Sequence, residues 1–304
     1  ELEEFAVSMG EKPFRGRQLF EWMYHKEAAG FDEMMNIPAA FRRRLDAEAR
    51  IGSIRLRDRK RSAADGTTKL LFELEDGKNV ESVLIPPRTA YRDEGDGPAE
   101  DQAQTKDQNQ DQKQERERLT LCVSTQVGCP LDCVFCATAT MGFQRSLTAG
   151  EIVDQVMIAG RIAERKITNI VYMGMGEPLL NYDEVMKSVE IITTGLKIAA
   201  RRVTISTAGW TPGIRRMAAE KQRVKLAISL HTLDERARTE LMPVTKKFPL
   251  VELLDAAEYY YWRTKQRITF EYILFDGWND SDADIRRLVA LLKRIPGKVN
   301  IIPF

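Results

Sequence analysis

Three cysteines, Cys129, Cys133 and Cys136, stand close together in the chain in the pattern CxxxCxxC, and Phe135 directly precedes the last of them. Three thiolates on one loop can bind three irons of a [4Fe-4S] cluster, because soft sulfur ligands suit iron–sulfur chemistry. A cluster that only carries electrons is normally held by four protein thiolates. Three ligands would leave one iron open, so the pattern predicts a cluster that also binds a small molecule.

This loop resembles that of the radical S-adenosylmethionine (SAM) enzymes. In those enzymes the amino and carboxylate groups of SAM bind the open iron. An electron from the cluster then cleaves SAM to methionine and a 5′-deoxyadenosyl radical. The resemblance therefore implies two cofactors, a [4Fe-4S] cluster and SAM.

Two other uses of the cysteines have to be weighed. A structural zinc site usually combines two CxxC pairs, or one CxxC with a later HxxxH. This chain has one CxxC, and its two histidines, His25 and His231, lie far from it in sequence. Disulfides are typical of secreted, cysteine-dense chains, and four cysteines in 304 residues do not make one. The pattern favours the cluster over both alternatives.

The composition allows one large or two modest domains with a substantial core. Hydrophobic residues make up 43% of the chain, but no apolar run reaches the ~18 residues of a membrane helix. The net charge is +1, so overall charge does not indicate a nucleic-acid binder. Between Phe41 and Arg61, however, there are nine Lys or Arg against three Asp or Glu, which makes a local basic patch.

The first 50 residues are predicted to be helical. The run from Arg15 to His25 has apolar residues on one helical face, and Pro38 opens a second helix. Such a basic helical surface suits RNA docking, and it equally suits an ordinary solvated helix. The second helix is expected to bury Phe41 and Leu45 and to expose Arg42, Arg43 and Arg44.

A hairpin and a polar segment follow the helices. Residues 67–74 and 79–85 are rich in β-forming residues and are joined by Asp76-Gly77, a strong hairpin signal. From Tyr91 to Arg118 the chain is dominated by Gln, Asp, Glu, Lys and Gly. Because such a segment cannot bury enough apolar surface to offset its ordering entropy, we expect a disordered insertion there.

From Leu119 onwards, strands alternate with helices. This alternation predicts an α/β fold with a parallel sheet and right-handed connections, shaped as a six-stranded partial barrel. The first helix begins with the capping box Thr148 and Glu151. Active sites of barrels lie at the C-terminal ends of the strands, and the cysteine loop follows the first strand. The predicted strands are 119–124, 169–173, 202–206, 224–229, 268–274 and 299–302.

Polar residues that suit SAM end the next three strands. Gly176 and Glu177 follow the second strand, where glycine lets a ligand approach and the carboxylate can accept a hydrogen bond from an ammonium group. Ser206 ends the third strand, and Ser229-Leu230-His231 ends the fourth. Each motif alone is equally an ordinary turn or helix cap. Together, at successive strand ends, they favour a binding site.

Several stretches together resemble the RlmN/Cfr family of RNA adenosine methyltransferases, and RlmN more than Cfr, which methylates C8 of the same adenine. The resemblance covers nearly the whole chain outside the insertion. It rests on 122–129 (CVSTQVGC), the cysteine motif with Phe135, 141–145 (MGFQR), 174–181 (GMGEPLLN), 299–304 (VNIIPF) and the opening motifs 10–15 (GEKPFR) and 22–24 (WMY).

This resemblance implies a partial (β/α)6 barrel of radical SAM type at 119–304 and an RNA-docking helical domain at 1–50. Between them, the residues themselves predict a β-hairpin segment at 51–90 and the insertion at 91–118. The resemblance further implies a cytoplasmic, monomeric enzyme that methylates C2 of adenosine in 23S rRNA and tRNA, with an external electron donor such as flavodoxin and no membrane partner. The route runs through an S-methylcysteine intermediate and the 5′-deoxyadenosyl radical, because the electron-poor C2 carbon cannot attack the methyl group of SAM directly.

The resemblance also assigns roles to residues. Cys129, Cys133 and Cys136 are the cluster ligands, and Glu81 is the acceptor of the C2 proton. Cys122 is the resolving cysteine, which forms a disulfide with the methyl-carrying cysteine to release the product. From its sequence context alone, Glu81 is an ordinary hairpin glutamate. The implied SAM contacts are Gly176, Glu177, Ser206, Ser229, Leu230 and His231.

One feature departs from the family pattern. The methyl-carrying cysteine is expected beyond Phe304, whereas this sequence has no cysteine after Cys136. We therefore expect a truncated chain that binds the cluster and part of SAM without transferring a methyl group. Two alternatives stay open: an enzyme whose SAM-derived radical acts directly on its substrate, and a non-catalytic RNA-binding module with a structural metal.

Overall fold

The computed structural model describes residues 1–87 and 118–304. Apart from Arg118, the predicted insertion at 91–118 lies outside these ranges. The first 50 residues form a helical unit with a hydrophobic core of its own, in which Phe41 and Leu45 are fully buried, as the sequence predicts. Burying each such side chain contributes about 1.5–3 kcal/mol. The helices are α1 (Leu2–Ser8), α2 (Phe14–Phe20), continued by a π-helical turn (Glu21–His25), and α3 (Ala39–Glu48).

In the described part of the chain, nine strands form one mixed sheet in the order β1-β2-β3-β4-β7-β8-β9-β10-β11. The strands β1 to β4 pair antiparallel, and from β4 onwards all pairs are parallel. Strands β1 and β11 are the two edges, so the barrel is open. The bounds are β1 (Ile54–Arg61), β2 (Thr68–Leu74), β3 (Asn79–Ile85), β4 (Thr120–Cys122), β7 (Asn169–Tyr172), β8 (Val203–Thr207), β9 (Lys225–Ser229), β10 (Ile268–Leu274) and β11 (Gly297–Pro303).

The predicted hairpin is present as β2 and β3, and it joins the barrel because β3 pairs with β4. Strand β1, which extends the hairpin on its other side, was not predicted from the sequence. Strand β1 reads IRLRDRKR and is exposed along almost its whole length, so its sequence has no buried apolar face to reveal a strand. The basic patch between Phe41 and Arg61 is thus divided between helix α3 and this edge strand.

Each of the six predicted barrel strands is present, and helices connect the parallel ones. The capping box is confirmed at the start of the first helix, where Thr148 accepts from the Glu151 N–H and the Glu151 carboxylate accepts from the Thr148 N–H. The helices are α4 (Ala149–Ala163), α5 (Tyr182–Thr194), α6 (Thr211–Ala219), α7 (Glu235–Leu241), α8 (Leu250–Thr264) and α9 (Asp282–Arg294).

The two faces of the parallel sheet differ in character. Side chains such as Ile170, Ile205, Leu226 and Phe270 are fully buried and belong to the main core. The alternate positions on the same strands carry more polar residues, of which Ser206 and Glu271 are examples. We call the side that carries these alternate positions the inner face. No helix in the described ranges is long and apolar enough to cross a membrane.

Candidate functional site

The cysteine loop spans residues 128–144 and is closed at its base by a two-stranded ribbon. Strand β5 (Gln126–Val127) pairs with β6 (Arg145–Ser146) on either side of the loop. Arg145 in β6 forms ion pairs with Asp76 in the hairpin turn (2.7 Å) and with Glu151 in helix α4 (2.8 Å). These contacts anchor the base of the loop to two other elements of the fold.

Glycine is required where the loop leaves β5. Gly128 has a φ of +74°, a conformation that side chains rarely adopt, and a Cβ at this position would overlap the carbonyl oxygen of Gly142. Gly176, with a φ of +98°, is constrained in the same way by the side chain of Gln126. Both glycines allow two segments at this rim of the sheet to approach closely.

The structure brings Cys129, Cys133 and Cys136 to the wall of one cavity of about 260 Å³ at the C-terminal ends of the parallel strands. All four cysteines of the chain are free thiols. Among the described residues, no three His, Cys, Asp or Glu side chains converge on a point where a single metal ion could lie. A cubane cluster binds each thiolate to a different iron, so three separated thiols on one cavity wall suit it better than they suit a zinc ion.

Burial affects the protonation of two of the motif cysteines, Cys129 and Cys133. It raises the pKa of Cys129 to about 11 and that of Cys133 to about 12. Both are therefore neutral thiols at physiological pH when no metal is bound. Coordination to iron deprotonates a thiol outright, so cluster binding releases protons and compensates the burial of the thiolates.

Glu177 also lines this cavity and is only 2% exposed. One carboxylate oxygen accepts from the backbone N–H of Leu179 (3.0 Å) and the other from that of Ala208 (2.8 Å). Burial nevertheless raises the pKa of Glu177 to about 7. The carboxylate is thus held in one orientation and gains from a positively charged ligand, because such a partner would offset the loss of solvation.

Ser206, Ser229 and His231 also line the cavity, as the sequence predicts for a common site. The backbone N–H of Ile273 donates to Nδ1 of His231 (3.1 Å), and burial lowers the pKa of His231 to about 4. The imidazole is therefore neutral, with its proton on Nε2. Leu230 differs from its neighbours: its side chain is buried in the main core and does not reach the cavity.

Glu81 and Cys122 lie next to the cavity rather than on its wall. Cys122 pairs with Val83 in β3 and with Val171 in β7, so it lies on the inner face together with Glu81, two positions before Val83. The backbone N–H of Met173, a cavity residue, donates to the Cys122 thiol. Burial raises the pKa of this thiol to about 11, whereas the Glu81 carboxylate is partly exposed and forms an ion pair with Lys69 (3.2 Å).

Two residues of the site, Glu271 and Arg238, were not singled out in the sequence, and Phe135 was noted only as the aromatic residue of the cysteine motif. Phe135 packs its ring edge to face with His231, at 4.8 Å between centroids. Glu271 lines the cavity and accepts from the side-chain amide of Asn300 (2.6 Å). A charged residue inside the apolar strand ITFEYIL was a usable signal for Glu271. Arg238, which is buried behind the cysteine loop, had no such signal in an arginine-rich chain.

The basic helix is less exposed than predicted. Arg42 donates to the backbone carbonyl of Asp32 and so folds back onto the helical unit. Arg43 and Arg44 are exposed, and Arg44 lies 3.9 Å from Glu48. Of the three arginines, Arg43 and Arg44 are the ones available to an external partner.

A parallel α/β sheet with three cysteines and a carboxylate at its C-terminal rim defines a radical SAM enzyme. The sequence profile of the Radical SAM superfamily matches residues 123–289, which is more than half of the chain. A second profile, the ribosomal RNA large subunit methyltransferase N-terminal domain, matches residues 1–51.

Comparison with individual proteins narrows the class. The chain is 44% identical to the "Dual-specificity RNA methyltransferase RlmN" of Syntrophotalea carbinolica, over its whole length and 74% of that protein. It is 41% identical to the "Probable dual-specificity RNA methyltransferase RlmN" of Syntrophomonas wolfei, over its whole length and 81% of that protein. A crystal structure of a radical SAM methyltransferase from Sphaerobacter thermophilus superimposes with a TM-score of 0.84 at 39% identity, covering 99% of this chain and 82% of that one.

The chain therefore belongs to the RlmN family of radical SAM RNA methyltransferases, and its cofactors are a [4Fe-4S] cluster and SAM. The predicted family, fold class, enzyme class and cofactors are confirmed. The roles of individual residues stay predictions.

Proposed function

We propose that this enzyme methylates C2 of an adenosine in 23S rRNA and in tRNA. The observation that carries the proposal is the placement of two kinds of residue on one face of the sheet. The cavity with its three cysteines and Glu177 suits SAM, while Cys122 and Glu81 lie beside it on strands β4 and β3. A methyl group that originates from SAM can reach a nucleotide only if the residues that act on the nucleotide lie beside the SAM cavity.

Cys129, Cys133 and Cys136 would hold the cluster, which when bound supplies the open iron and the electron for SAM cleavage. Glu177 would accept from the amino group of SAM, since its carboxylate is fixed and faces the same cavity. The hydroxyl groups of Ser206 and Ser229 can donate to the carboxylate or the ribose of SAM. Gly176 leaves room for this approach, and Leu230 would contribute through its main chain alone.

Glu81 is the proposed proton acceptor. C2 of adenine carries a hydrogen, so attaching a carbon there requires that this proton leave. A base for this step must reach a nucleotide that enters from solvent, and the partly exposed Glu81 carboxylate on the inner face meets that requirement. Lys69 holds the carboxylate beside the strand.

Cys122 is the proposed resolving cysteine. Its sulfur would attack the sulfur of the methyl-carrying cysteine that the family resemblance implies and form a disulfide, while the bond from that sulfur to the carbon attached at C2 breaks. The carbon keeps the electron pair of the broken bond and takes up a proton, which releases the methylated product. The thiolate is the attacking species, and burial of the Cys122 thiol keeps it protonated at neutral pH. The step therefore requires loss of that proton as the bond to sulfur forms.

The remaining partners follow from the same proposal. RNA would dock on the N-terminal helical unit through Arg43 and Arg44. An external one-electron donor such as flavodoxin would supply the electron. The enzyme would be monomeric and cytoplasmic. Replacing Arg43 and Arg44 by Gln should weaken RNA binding and flatten its salt dependence, since fewer counterions are released. An unchanged salt slope would assign both arginines to the ordinary solvated surface.

Product analysis tests the central proposal. The enzyme as it occurs in the cell is loaded with its cluster and incubated with SAM, a reductant, and 23S rRNA or tRNA. The RNA is then digested and analysed by mass spectrometry. We expect 2-methyladenosine, and Glu81→Gln and Cys122→Ala should lose this product while still cleaving SAM. Formation of 8-methyladenosine would move the reaction to C8. SAM cleavage without any methylated RNA would contradict the proposal.

A further inference from the structure

Arg238 in helix α7 is a fully buried cation, with a relative exposure of 0%. Its guanidinium donates to the backbone carbonyls of Ala208 (2.7 Å), Ser229 (3.0 Å) and Leu230 (3.3 Å), and to the hydroxyl of Thr245 (2.6 Å). These acceptors are all neutral. All three guanidinium nitrogens of Arg238 thus donate hydrogen bonds. Because the acceptors carry no charge, they do not neutralise the positive charge of the side chain.

No carboxylate pairs directly with this charge either, although Glu235 in the same helix favours the charged form from beyond ion-pair distance. Within residues 1–87 and 118–304, no Asp or Glu lies within ion-pair distance of the Arg238 guanidinium. Burial of a cation that has no directly paired carboxylate is strongly unfavourable, so a charge in this position indicates a nearby anion in the working protein.

The thiol of Cys133 in the cysteine loop can become that anion when it binds iron as a thiolate. Helix α7 is tied to the loop by a hydrogen bond from the Val134 N–H to the Leu241 carbonyl (3.0 Å). The charges of Arg238 and Cys133 interact in both directions: each favours the charged form of the other. When Cys133 binds iron as a thiolate, Arg238 therefore gains the counter-charge that it otherwise lacks.

We propose that Arg238 is a positioning residue that supplies a fixed positive charge behind the thiolate loop and makes the bound cluster easier to reduce. Reduction adds one electron from a low-potential one-electron donor, breaks no bond and increases the negative charge of the site by one. Net charge, hydrogen bonds and solvent exposure set the potential of an iron–sulfur cluster, and a buried cation favours the more negative state. This inference rests on the proposed assignment of Cys129, Cys133 and Cys136 as cluster ligands.

The same side chain also connects the cavity to the loop. By binding the carbonyls of Ala208 and Ser229, Arg238 joins the ends of β8 and β9, where Ser206 and Ser229 face the cavity. An Arg fork makes several directed hydrogen bonds at once, which a Lys ammonium in the same place does less well. Charge and hydrogen-bond geometry can therefore be separated by substitution.

The test is a redox titration of the cluster, followed by electron paramagnetic resonance, in Arg238→Met, Arg238→Lys and a control. Arg236→Met is the matched control, because Arg236 lies in the same helix with a 91% exposed side chain. We expect Arg238→Met to lower the ratio of reduced to oxidised cluster at least tenfold at a fixed potential, which corresponds to about 59 mV. Arg238→Lys keeps the charge and should stay within threefold of the wild type, and Arg236→Met should not change the ratio.

A ratio in Arg238→Met within twofold of the wild type would overturn the inference. If that variant holds no cluster, Arg238→Lys decides: a ratio near the wild-type value supports the role of the charge, and a tenfold fall contradicts it. Iron and sulfide content and the melting temperature of each variant are measured alongside. A wild-type protein that binds no cluster would instead refute the ligand assignment itself.

Discussion

Two glutamates, one lining the cavity and one on the hairpin beside it, are held in opposite ways. Glu177, beside the cysteines, is almost completely buried and bonded to two backbone N–H groups. Glu81, on the hairpin, has a side chain that is 42% exposed. Within the described residues, its one ion-pair partner is the flexible ammonium group of Lys69. The first carboxylate is fixed by the main chain, whereas the second can change rotamer at little cost.

This difference matches the kinds of ligand that the two regions would meet. A small cofactor that reacts in a defined orientation needs rigid, desolvated groups, because misplacement by about 1 Å can cost a hundredfold in rate. A nucleotide that arrives as part of a large RNA needs a face that stays open to solvent until it binds. Under the proposed function, the cysteine side of the molecule would meet the first requirement and the hairpin side the second.

The largest expected effect separates the cysteines of the two regions. Cys129→Ala, Cys133→Ala and Cys136→Ala should each abolish the brown cluster absorbance and SAM cleavage, because a cluster already limited to three thiolates loses one of them. Cys122→Ala should keep both. Iron and sulfide analysis with absorbance spectra after reconstitution measures this. Loss of the cluster in Cys122→Ala would place Cys122 among the ligands.

The next effect concerns the affinity for SAM. Glu177→Gln removes a charged acceptor for the amino group, and hydrogen bonds to charged groups contribute about 1.5–3 kcal/mol. We therefore expect SAM to bind about tenfold to a hundredfold more weakly in the cluster-loaded, unreduced protein, as measured by calorimetry. Glu81→Gln is the matched control and should leave the affinity unchanged. Equal affinities of both variants and the wild type would remove Glu177 from the SAM site.

The buried glutamate should also make stability depend on pH in the protein without its cluster. Burial raises the pKa of Glu177 to about 7 from an ordinary value near 4.5, so the folded state binds more protons than the unfolded state between these pH values. Stability from this group is then fully present below about pH 4.5 and is lost as the pH rises through about 7. The full loss is on the order of 3 kcal/mol.

Urea unfolding of the wild type and of Glu177→Gln at pH 5 and pH 8 isolates this effect, because the other titrating groups are shared. His231 acts in the opposite direction, since its pKa is lowered, and it cancels in the comparison. The difference between the two proteins should grow with pH in favour of the glutamine variant. A difference that is the same at both pH values would mean that Glu177 titrates normally in the folded state.

The sequence predicted the architecture well because the barrel strands carry long apolar runs. The six strands, the hairpin and the helix cap at Thr148 each have a local signal that the tertiary structure does not override. Strand β1 was missed because its charged residues face solvent, so its sequence shows no alternation of apolar and polar residues. Its strand conformation is stabilised by pairing with β2, which is information from outside the segment.

The residues of the site show the same distinction between local signals and information from elsewhere in the chain. The cysteines and the strand-end motifs were visible because their spacing or position has chemical meaning on its own. Arg238 acts through its charge on Cys133, which lies far away in sequence. Phe135 was visible as part of the cysteine motif, but its packing against His231 was not. Partnerships of this kind are created by the fold and cannot be read from either residue alone.

The smallest expected effect belongs to the exposed region. Lys69→Met removes the ion-pair partner of Glu81, but both side chains are about half exposed, at 54% and 42%. Such pairs contribute about 0–1 kcal/mol, since water solvates both ions when they separate. We expect the free energy of unfolding to change by less than about 1 kcal/mol in urea titrations, and the affinity for SAM to stay at the wild-type value.

Salt provides the control for this last prediction. The small difference between Lys69→Met and the wild type should shrink further at high ionic strength, because salt screens an exposed pair. Lys69→Arg keeps the charge and should match the wild type throughout. A loss of several kcal/mol in Lys69→Met, insensitive to salt, would show that Lys69 and Glu81 form a rigid structural pair. The hairpin face would then be as preorganised as the cavity, and exposure would not explain why the two carboxylates suit different ligands.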